Sequence, residues 1–190
     1  MKNFVAGVDE VGRGSLIGPV CAAAVILNKN IDKTKLKDSK KLSKKNRNIL
    51  EKYIKKNSLW AIGYASLKEI EKLNILNASL LAMKRAIKKL KKKPALVLID
   101  GNKLPRIKNY NLKFVVKGDQ KVPEISAASI IAKVSRDRLI TKMSKKFIKY
   151  AWNKNAGYGT NYHLSAIKKF GVTRHHRKKF QPIHNILSLK

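Results

Sequence analysis

One short stretch near the start of the chain constrains the fold more than any other. Two adjacent acids, Asp9 and Glu10, close an apolar run and precede a turn rich in glycine. The run from Phe4 to Val8 predicts a short buried strand, and the glycines at positions 12, 14 and 18 allow a tight turn that approaches a ligand closely. We therefore expect the two carboxylates to face a cleft at the end of this strand.

The spacing of these glycines excludes the common nucleotide sites. Ile17 stands where the dinucleotide-binding motif needs its third glycine, and no loop in the chain ends in Gly-Lys-Ser or Gly-Lys-Thr. An ordinary NAD or ATP site is therefore not expected.

Acids are scarce in this chain, which makes their placement informative. The 190 residues include 44 Lys and Arg against 11 Asp and Glu, for a formal net charge of +33. A surface this basic binds phosphates with a strong dependence on salt, so the composition favours nucleic acid over an anionic membrane surface as a partner. Most of these bases are Lys, in a chain also rich in Ile and Asn, and part of the excess is consistent with codon bias.

Two further acids follow predicted strands. A continuous apolar run over residues 95–99 predicts a strand buried on both faces and ends at Asp100, and a shorter strand over residues 112–116 leads to Asp119. If these strands are sheet neighbours of the first, all four acids converge on one edge. Carboxylates gathered in this way repel one another and require bound cations, for which their hard oxygens suit Mg²⁺ or Mn²⁺.

The remaining segments show either the alternating apolar pattern of strands or the apolar repeat of amphipathic helices. Strands are predicted over residues 19–27 and 60–67, and helices over residues 44–56, 68–92, 122–147 and 164–170. Ser43 is the expected N-cap of the first helix, and Asn74 and Asn77 are expected to break the second into two helices. Lys40 and Lys41, just ahead of a helix start, are candidates for holding a phosphate.

The C-terminal part of the chain carries three further patterns. Tyr158 lies between two glycines, a context better suited to stacking on a sugar or base than to a core. His175 and His176 stand in a basic run, so we expect a phosphate contact or a solvated tail and not a metal site. Asp137, flanked by two arginines in a predicted helix, is expected to form a local ion pair.

Length and cysteine content complete the general picture. At 44% hydrophobic residues, the chain is expected to form one compact domain, and its longest apolar run, residues 20–27, is too short to span a bilayer. The single cysteine, Cys21, permits no internal disulfide and no cysteine-based zinc site. We therefore expect a monomeric cytoplasmic protein without membrane association.

Six segments, taken together, resemble the motifs of bacterial ribonuclease HII in order and spacing, over essentially the whole chain. They are DEVGRG at 9–14, DSKKLS at 38–43, LIDGN at 98–102, KGD at 117–119, SAASIIAK at 126–133 and GYGT at 157–160. The resemblance implies an α/β protein with a ribonuclease H-like fold, in which helices flank a mixed five-stranded sheet. Residues 1–150 would form the catalytic core, and residues 151–190 a smaller helical part with a substrate-contacting helix and a basic tail, packed on the core as one domain.

The resemblance also implies an activity. An enzyme of this family hydrolyses the RNA strand of RNA/DNA hybrids and incises duplex DNA 5′ to a single embedded ribonucleotide, leaving 5′-phosphate and 3′-hydroxyl ends. Its four acids bind two Mn²⁺ or Mg²⁺ ions in a two-metal mechanism, and they match Asp9, Glu10, Asp100 and Asp119.

The substrate contacts of the family can be placed on this chain in the same way. The backbone that reads the ribose 2′-hydroxyl matches Gly12, Arg13 and Gly14, and the tyrosine that stacks on the next deoxyribose matches Tyr158. The segment that holds the substrate backbone matches Ser39, Lys40 and Lys41. Many relatives have Pro where this chain has Ser15 and Gly159, so looser turns are expected at both positions.

Three other interpretations fit parts of the pattern. A non-catalytic nucleic-acid binder would explain the charge but has no use for four clustered acids. Another nuclease of the same fold, such as a junction resolvase or a type III ribonuclease H, is a second alternative, although the type III enzyme would need an additional N-terminal domain ahead of Asp9. A decayed enzyme is the third, and the intact acids argue against it.

Overall fold

The computed structural model describes residues 4–36 and 42–188, and its centre is a five-stranded sheet. The strands are β1 (Val5–Val11), β2 (Val20–Leu27), β3 (Ser58–Ala65), β4 (Leu96–Asp100) and β5 (Leu112–Val115), in the order β3-β2-β1-β4-β5. The β1 strand pairs antiparallel with β2 and parallel with β4, and β5 is parallel to β4. The sheet is therefore mixed, which confirms the predicted fold class.

Helices cover both faces of this sheet. They are α1 (Lys44–Lys56), α2 (Leu67–Leu73), α3 (Ile75–Lys88), α4 (Gly118–Lys121), α5 (Pro123–Ser144), α6 (Trp152–Asn155), α7 (Asn161–Phe170) and α8 (Gln181–Ser188), with short 3-10 turns at Lys33–Leu36 and Ile148–Tyr150. Within the described residues, no helix is long and apolar enough to cross a membrane. Three predicted substrate residues, Ser39, Lys40 and Lys41, lie outside the described part of the chain.

Small residues in β2 let helices approach the sheet from both sides. Because successive side chains of a strand point to opposite faces, Ala22 and Ala24 pack with α3 while Cys21, Ala23 and Val25 pack with α1 and α5. On β1, a Cβ added at Gly7 would lie 2.1 Å from the backbone of Glu124 at the start of α5. This close approach fixes the start of α5 against the strand that carries the first pair of acids.

Local signals placed the helices well. The α1 helix begins after Ser43, whose hydroxyl accepts the N–H of Asn46 at 3.2 Å as an N-cap does. The helical region predicted over residues 68–92 is two helices, and the break lies at Asn74, which has a φ of 68° and caps α3 through its side chain. The predicted helix over residues 122–147 is α5, and its first residue, Pro123, suits a helix start.

A third apolar cluster joins the C-terminal segments to the rest of the protein. Leu16 and Ile17 from the first loop pack with Ile140 of α5, Trp152 of α6 and Ile167 of α7. The loop that follows the first acids therefore rests on the C-terminal helices.

Candidate active site

The structure brings the four predicted acids together in one cavity. Asp9 and Glu10 lie in β1, Asp100 ends β4, and Asp119 lies in α4 directly after β5. Because β1, β4 and β5 are neighbours in the sheet, their ends meet at one edge. All four acids line a cavity of about 340 Å³, whose other lining residues are Val11, Arg47, Ser129, Ile130 and Lys133.

Burial and crowding make ionisation of Asp9 unfavourable. Asp9 is only 7% exposed, and burial, followed by the nearby charges of Glu10 and Asp100, raises its pKa to about 8. The N–H of Glu10 donates to Asp9 at 2.7 Å, and the Ser129 side chain also hydrogen-bonds this carboxyl. Burial likewise raises the pKa of Glu10, against the opposing effect of the Arg13 guanidinium 3.3 Å away.

The other two acids are placed by a tight connection after β5. Lys117 has a left-handed φ of 55° and leads into α4, where the N–H of Gly118 donates to Asp100 at 2.7 Å. A Cβ added at Gly118 would lie 2.6 Å from the Ile125 side chain of α5 and 3.3 Å from Oδ1 of Asp100, so this turn packs between the two only because residue 118 has no side chain. Asp119 is 7% exposed at the next position.

The four acids line one cavity, but their side chains are not arranged as a complete set of metal ligands. Over residues 4–36 and 42–188, no three acidic, histidine or cysteine side chains form a group that could hold a metal ion as it stands. Asp9 and Asp100 each accept from a backbone N–H group, and Glu10 accepts from Arg13. The donor set nevertheless fits a hard divalent cation, because it consists of oxygens and because a cation would offset the burial and the repulsion that together raise the pKa of Asp9.

The glycine-rich loop lies beside this cavity and next to Tyr158. Arg13 and Gly14 are exposed, and a Cβ added at Gly14 would lie 3.9 Å from the Tyr158 ring. Gly12 has a φ of 94°, and a Cβ there would lie 2.1 Å from the Arg136 side chain. The sequence motif at 12–14 and the distant Gly-Tyr-Gly motif therefore share one edge of the protein.

Ser15 ties these two motifs to each other. Its buried hydroxyl lies 3.0 Å from the carbonyl of Gly157, and the N–H of Leu16 donates to the same carbonyl at 2.8 Å. The Ser15 hydroxyl thus supplies a contact that a proline could not make, and the expectation of looser turns at Ser15 and Gly159 stays a prediction.

Two buried arginines hold the same loop, and sequence reasoning missed both. The Arg136 guanidinium donates to the carbonyls of Ile17 at 3.1 Å, Ala156 at 3.0 Å and Pro19 at 3.2 Å. Arg177 donates to the carbonyls of Arg13 at 2.8 Å and Gly18 at 3.0 Å. Both arginines are fully buried, and burial lowers the pKa of Arg177 to about 9.

The local ion pair predicted for Asp137 is confirmed, and its partner is Lys133 and neither of the flanking arginines. Asp137 accepts from Lys133 at 2.9 Å, one helical turn away. Arg138 makes a bidentate ion pair with Glu51 of α1, with N–O distances of 3.0 and 3.1 Å. Arg136, on a different side of the helix, points at the loop carbonyls.

The expectation of a phosphate contact or a solvated tail is wrong for His176. His176 is fully buried and lies 3.3 Å from His163, whereas a phosphate ligand or a solvated tail would be exposed. His176 did not stand out in the sequence as a buried group, because it lies in a basic run.

A second concavity continues from the carboxylate cavity along α1 and α5. It has a volume of about 440 Å³ and shares Arg47 with the first cavity. We call it the α1–α5 groove, and it is lined by Lys44, Arg47, Asn48, Val134, Asp137, Arg138, Thr141, Lys142 and Lys145. Five of these nine residues are basic and one is acidic, so the groove suits a polyanion.

Comparison of the whole sequence with known proteins identifies its relatives. Residues 6–183 match the family model described as Ribonuclease HII. The chain is 73% identical over 185 residues to Ribonuclease HII of Pelagibacter ubique (strain HTCC1062), covering 97% of this chain and 100% of that protein. It is 50% identical over 185 residues to Ribonuclease HII of Paracoccus denitrificans (strain Pd 1222), covering 97% and 88%.

Solved structures share the fold. Ribonuclease H2 from Pyrococcus horikoshii OT3 superposes with a TM-score of 0.81 at 26% identity, over 98% of each chain. RNase HII from Archaeoglobus fulgidus, solved in complex with PCNA, gives a TM-score of 0.73 at 25% identity, over 94% of this chain and 95% of that one. Bst-RNase HIII in complex with Mn²⁺ gives 0.75 at 16% identity, over 98% and 70%, which is a likeness of fold alone.

Proposed function

This chain belongs to the ribonuclease HII family, and is thus an endonuclease of the ribonuclease H type; on that premise we propose that it incises duplex DNA 5′ to a single ribonucleotide as well as cleaving the RNA strand of RNA/DNA hybrids. The products would carry 5′-phosphate and 3′-hydroxyl ends. The single observation that carries the proposal is that four acids on neighbouring strand ends line one cavity beside the glycine-rich loop and Tyr158.

Asp9, Glu10, Asp100 and Asp119 would hold two divalent ions, Mn²⁺ or Mg²⁺, in this cavity. Ions bound there contribute activation of the attacking water and stabilisation of the leaving 3′-oxygen. Ser129 would orient Asp9 through its hydrogen bond, and Gly118 would orient Asp100. Bst-RNase HIII, which shares the fold, was solved in complex with Mn²⁺, and this supports the choice of metal.

Recognition of the ribonucleotide would fall to the loop and the tyrosine. Only the 2′-hydroxyl distinguishes a ribonucleotide from its deoxy neighbours, and it both donates and accepts hydrogen bonds. The backbone of Gly12, Arg13 and Gly14, of which Arg13 and Gly14 are exposed, would supply hydrogen-bonding groups to it, and Tyr158 would stack on the deoxyribose that follows. The proximity of Gly14 to the Tyr158 ring supports a joint role in reading the junction.

The duplex itself would be held by charge. Ser39, Lys40 and Lys41 would bind the backbone of the strand that is cut, and the basic α1–α5 groove would contribute more widely. We further propose that the enzyme is a cytoplasmic monomer. The two-part division at residue 150 stays a prediction.

The test is an incision assay on three duplexes: DNA with one ribonucleotide, an all-RNA/DNA hybrid, and DNA alone, each in Mg²⁺, Mn²⁺ or EDTA. We expect metal-dependent cutting of the first two only, with the first cut 5′ to the ribonucleotide. Cutting of hybrids but not of single ribonucleotides would overturn the junction-reading part of the proposal. Binding of all three without cutting would favour the non-catalytic interpretation that the charge of +33 supports.

A further inference from the structure

Three aromatic side chains form a buried chain of hydrogen bonds behind the Tyr158 turn. The indole N–H of Trp152 lies 2.9 Å from Nε2 of His163, and Nδ1 of His163 lies 2.9 Å from the carbonyl oxygen of Tyr158. On the far side, Nε2 of His176 lies 3.3 Å from Nε2 of His163. All three side chains are fully buried, so water does not replace these partners.

The partners determine where the proton of each imidazole lies. An indole nitrogen can only donate, so Nε2 of His163 accepts, and the proton of a neutral His163 therefore lies on Nδ1. That Nδ1–H donates to the Tyr158 carbonyl. The same logic applies to His176, because the backbone N–H of Thr173 donates to its Nδ1 at 2.9 Å and leaves its proton on Nε2, pointing at His163.

Both imidazoles are neutral in this arrangement. A proton on Nε2 of His163 would face two other donors, the indole N–H and the His176 N–H. Burial accordingly lowers the pKa of His163 and lowers that of His176 to about 4. The chain of hydrogen bonds thus has one direction, from Trp152 and His176 into His163 and from there to Tyr158.

The turn at the end of this chain needs support. Ala156 and Gly157 both have a positive φ, of 49° and 78°, and such a conformation is unfavourable for alanine. The carbonyl of Tyr158 accepts from the N–H of Thr160 at 2.9 Å as well as from His163. These two bonds fix the peptide that follows Tyr158, and so the direction in which its ring projects toward Gly14.

We propose that His163, held as its Nδ1–H tautomer, is a positioning residue for recognition of single ribonucleotides. It acts through Tyr158 and touches neither the substrate nor the metal ions. The inference rests on the proposed role of Tyr158 in reading the junction. A long RNA/DNA hybrid offers many registers for cutting, whereas a single ribonucleotide offers one, so a displaced tyrosine should cost far more on the second substrate.

Two conservative substitutions separate the two hydrogen bonds of His163. In His163→Asn, the side-chain amide N–H can occupy the position of Nδ1 and keep the bond to Tyr158, but nothing accepts from Trp152. In His163→Gln, the amide oxygen can occupy the position of Nε2 and keep the bond from Trp152, but the donor to Tyr158 is lost. Both changes disturb the same buried cluster, so each serves as the control for the other.

The measurement is the ratio of incision rates on single-ribonucleotide DNA and on an all-RNA/DNA hybrid, with melting temperatures recorded in parallel. We expect His163→Gln to lower the ratio by about five- to tenfold, the scale of one hydrogen bond, and His163→Asn to keep it within about twofold. An equal ratio for both variants, or parallel losses on both substrates, would show a merely structural role and overturn the proposal.

Tyr158→Ala separates a failure of the proposed function from a failure of the inference. If this variant leaves the ratio unchanged, the proposed role of Tyr158 fails and the inference about His163 fails with it. If it lowers the ratio and His163→Gln does not, only the inference fails. Should His163→Gln not fold, long-range ¹H–¹⁵N NMR of the wild-type imidazoles decides, since a proton found on Nε2 of His163 would overturn the assigned tautomer.

Discussion

The carboxylate cavity and the Trp152–His163–His176 cluster lie on either side of the same loop, and they handle buried polar groups in opposite ways. In the cavity, burial and then the nearby like charges raise the pKa of Asp9 to about 8. In the cluster, neutral imidazoles and backbone carbonyls satisfy one another, and no buried side-chain nitrogen or oxygen in the described residues lacks a partner. The carboxylate cavity therefore retains a repulsion that a bound cation would relieve, whereas the polar groups of the Trp152–His163–His176 cluster are fully paired.

This contrast separates two tasks. A site that binds divalent ions must hold charges that its own protein does not neutralise, at some cost to stability. A scaffold that orients a loop gains from complete pairing, because a single orphaned donor or acceptor would weaken it. Substitutions in the cavity should therefore change activity more than stability, and substitutions behind the loop should do the reverse.

The largest expected effect is that of Asp100→Asn in the cavity. We expect turnover to fall by about a thousandfold or more, since removing one metal-ligand charge removes transition-state stabilisation, while hybrid binding and stability stay nearly unchanged. Activity is measured as turnover on an RNA/DNA hybrid, and stability is measured by urea unfolding. The matched control is Asp32→Asn, an exposed acid outside the cavity. Near wild-type turnover of Asp100→Asn would remove this residue from the metal site.

The second-largest expected effect is that of Arg136→Met, which removes a buried guanidinium that holds the glycine-rich loop. The carbonyls of Ile17, Pro19 and Ala156 would lose their shared donor, and we expect the free energy of unfolding to fall by about 3 kcal/mol or more. Urea unfolding measures this, with the exposed Arg174→Met as the control. A loss below about 1 kcal/mol would mean that water or another donor replaces the guanidinium, and the contrast between the regions would weaken.

A smaller effect should appear as a dependence of stability on pH. The pKa of His176 is about 4 in the folded protein, chiefly because of burial, and near 6.5 when unfolded. Between these values the unfolded state binds more protons, so the free energy of unfolding should fall as the pH drops from 6.5 toward 4, and His176 should have no effect above that window. The slope is at most about 1.4 kcal/mol per pH unit.

The comparison protein for this prediction is His176→Asn, whose amide oxygen can still accept from Thr173. Asp9 contributes with the opposite sign, because its raised pKa makes the folded state bind more protons, but this contribution is common to both proteins. Urea unfolding at pH 7, 6 and 5 in EDTA should therefore show that the wild type loses free energy of unfolding relative to His176→Asn as the pH falls. A constant difference across this range would contradict the prediction.

The smallest effect concerns charge outside both regions. Lys142→Ala in the α1–α5 groove should weaken duplex binding slightly and lower the slope of log K against log salt by about one, as the loss of one phosphate contact does. Lys88→Ala, at the end of α3 on the other face of the sheet, is the control and should leave the slope unchanged. Equal slopes for both variants would mean that the groove is ordinary solvated surface.

Much of the carboxylate cavity could be predicted because its signals are local. An apolar run ending in an acid predicts a strand end, and three such ends become one site as soon as the strands are neighbours. The α1 helix and its Ser43 cap followed from the same kind of pattern, in which the residues that decide the structure lie within a few positions of one another. The six motifs added the family to this picture.

The region behind the loop could not be predicted in the same way. Arg136 and Ile17 are 119 residues apart, and Arg177 and Gly18 are 159 apart, so no window of sequence contains both partners. Composition even pointed the wrong way, since arginine and histidine in a basic run are usually exposed. A buried guanidinium needs several carbonyls converging on it, and only the packing of α5 and the C-terminal segments around residues 12–19 creates that convergence.

The sequence by itself thus determined the strands, the longer helices, the strand-end acids and the family, because short-range periodicity and motif spacing encode them. Only the tertiary structure decided which buried polar groups are paired and by what. The physical reason is that burying a charged or polar side chain is costly unless its partners converge from several segments, and that condition is met in three dimensions and not along the chain.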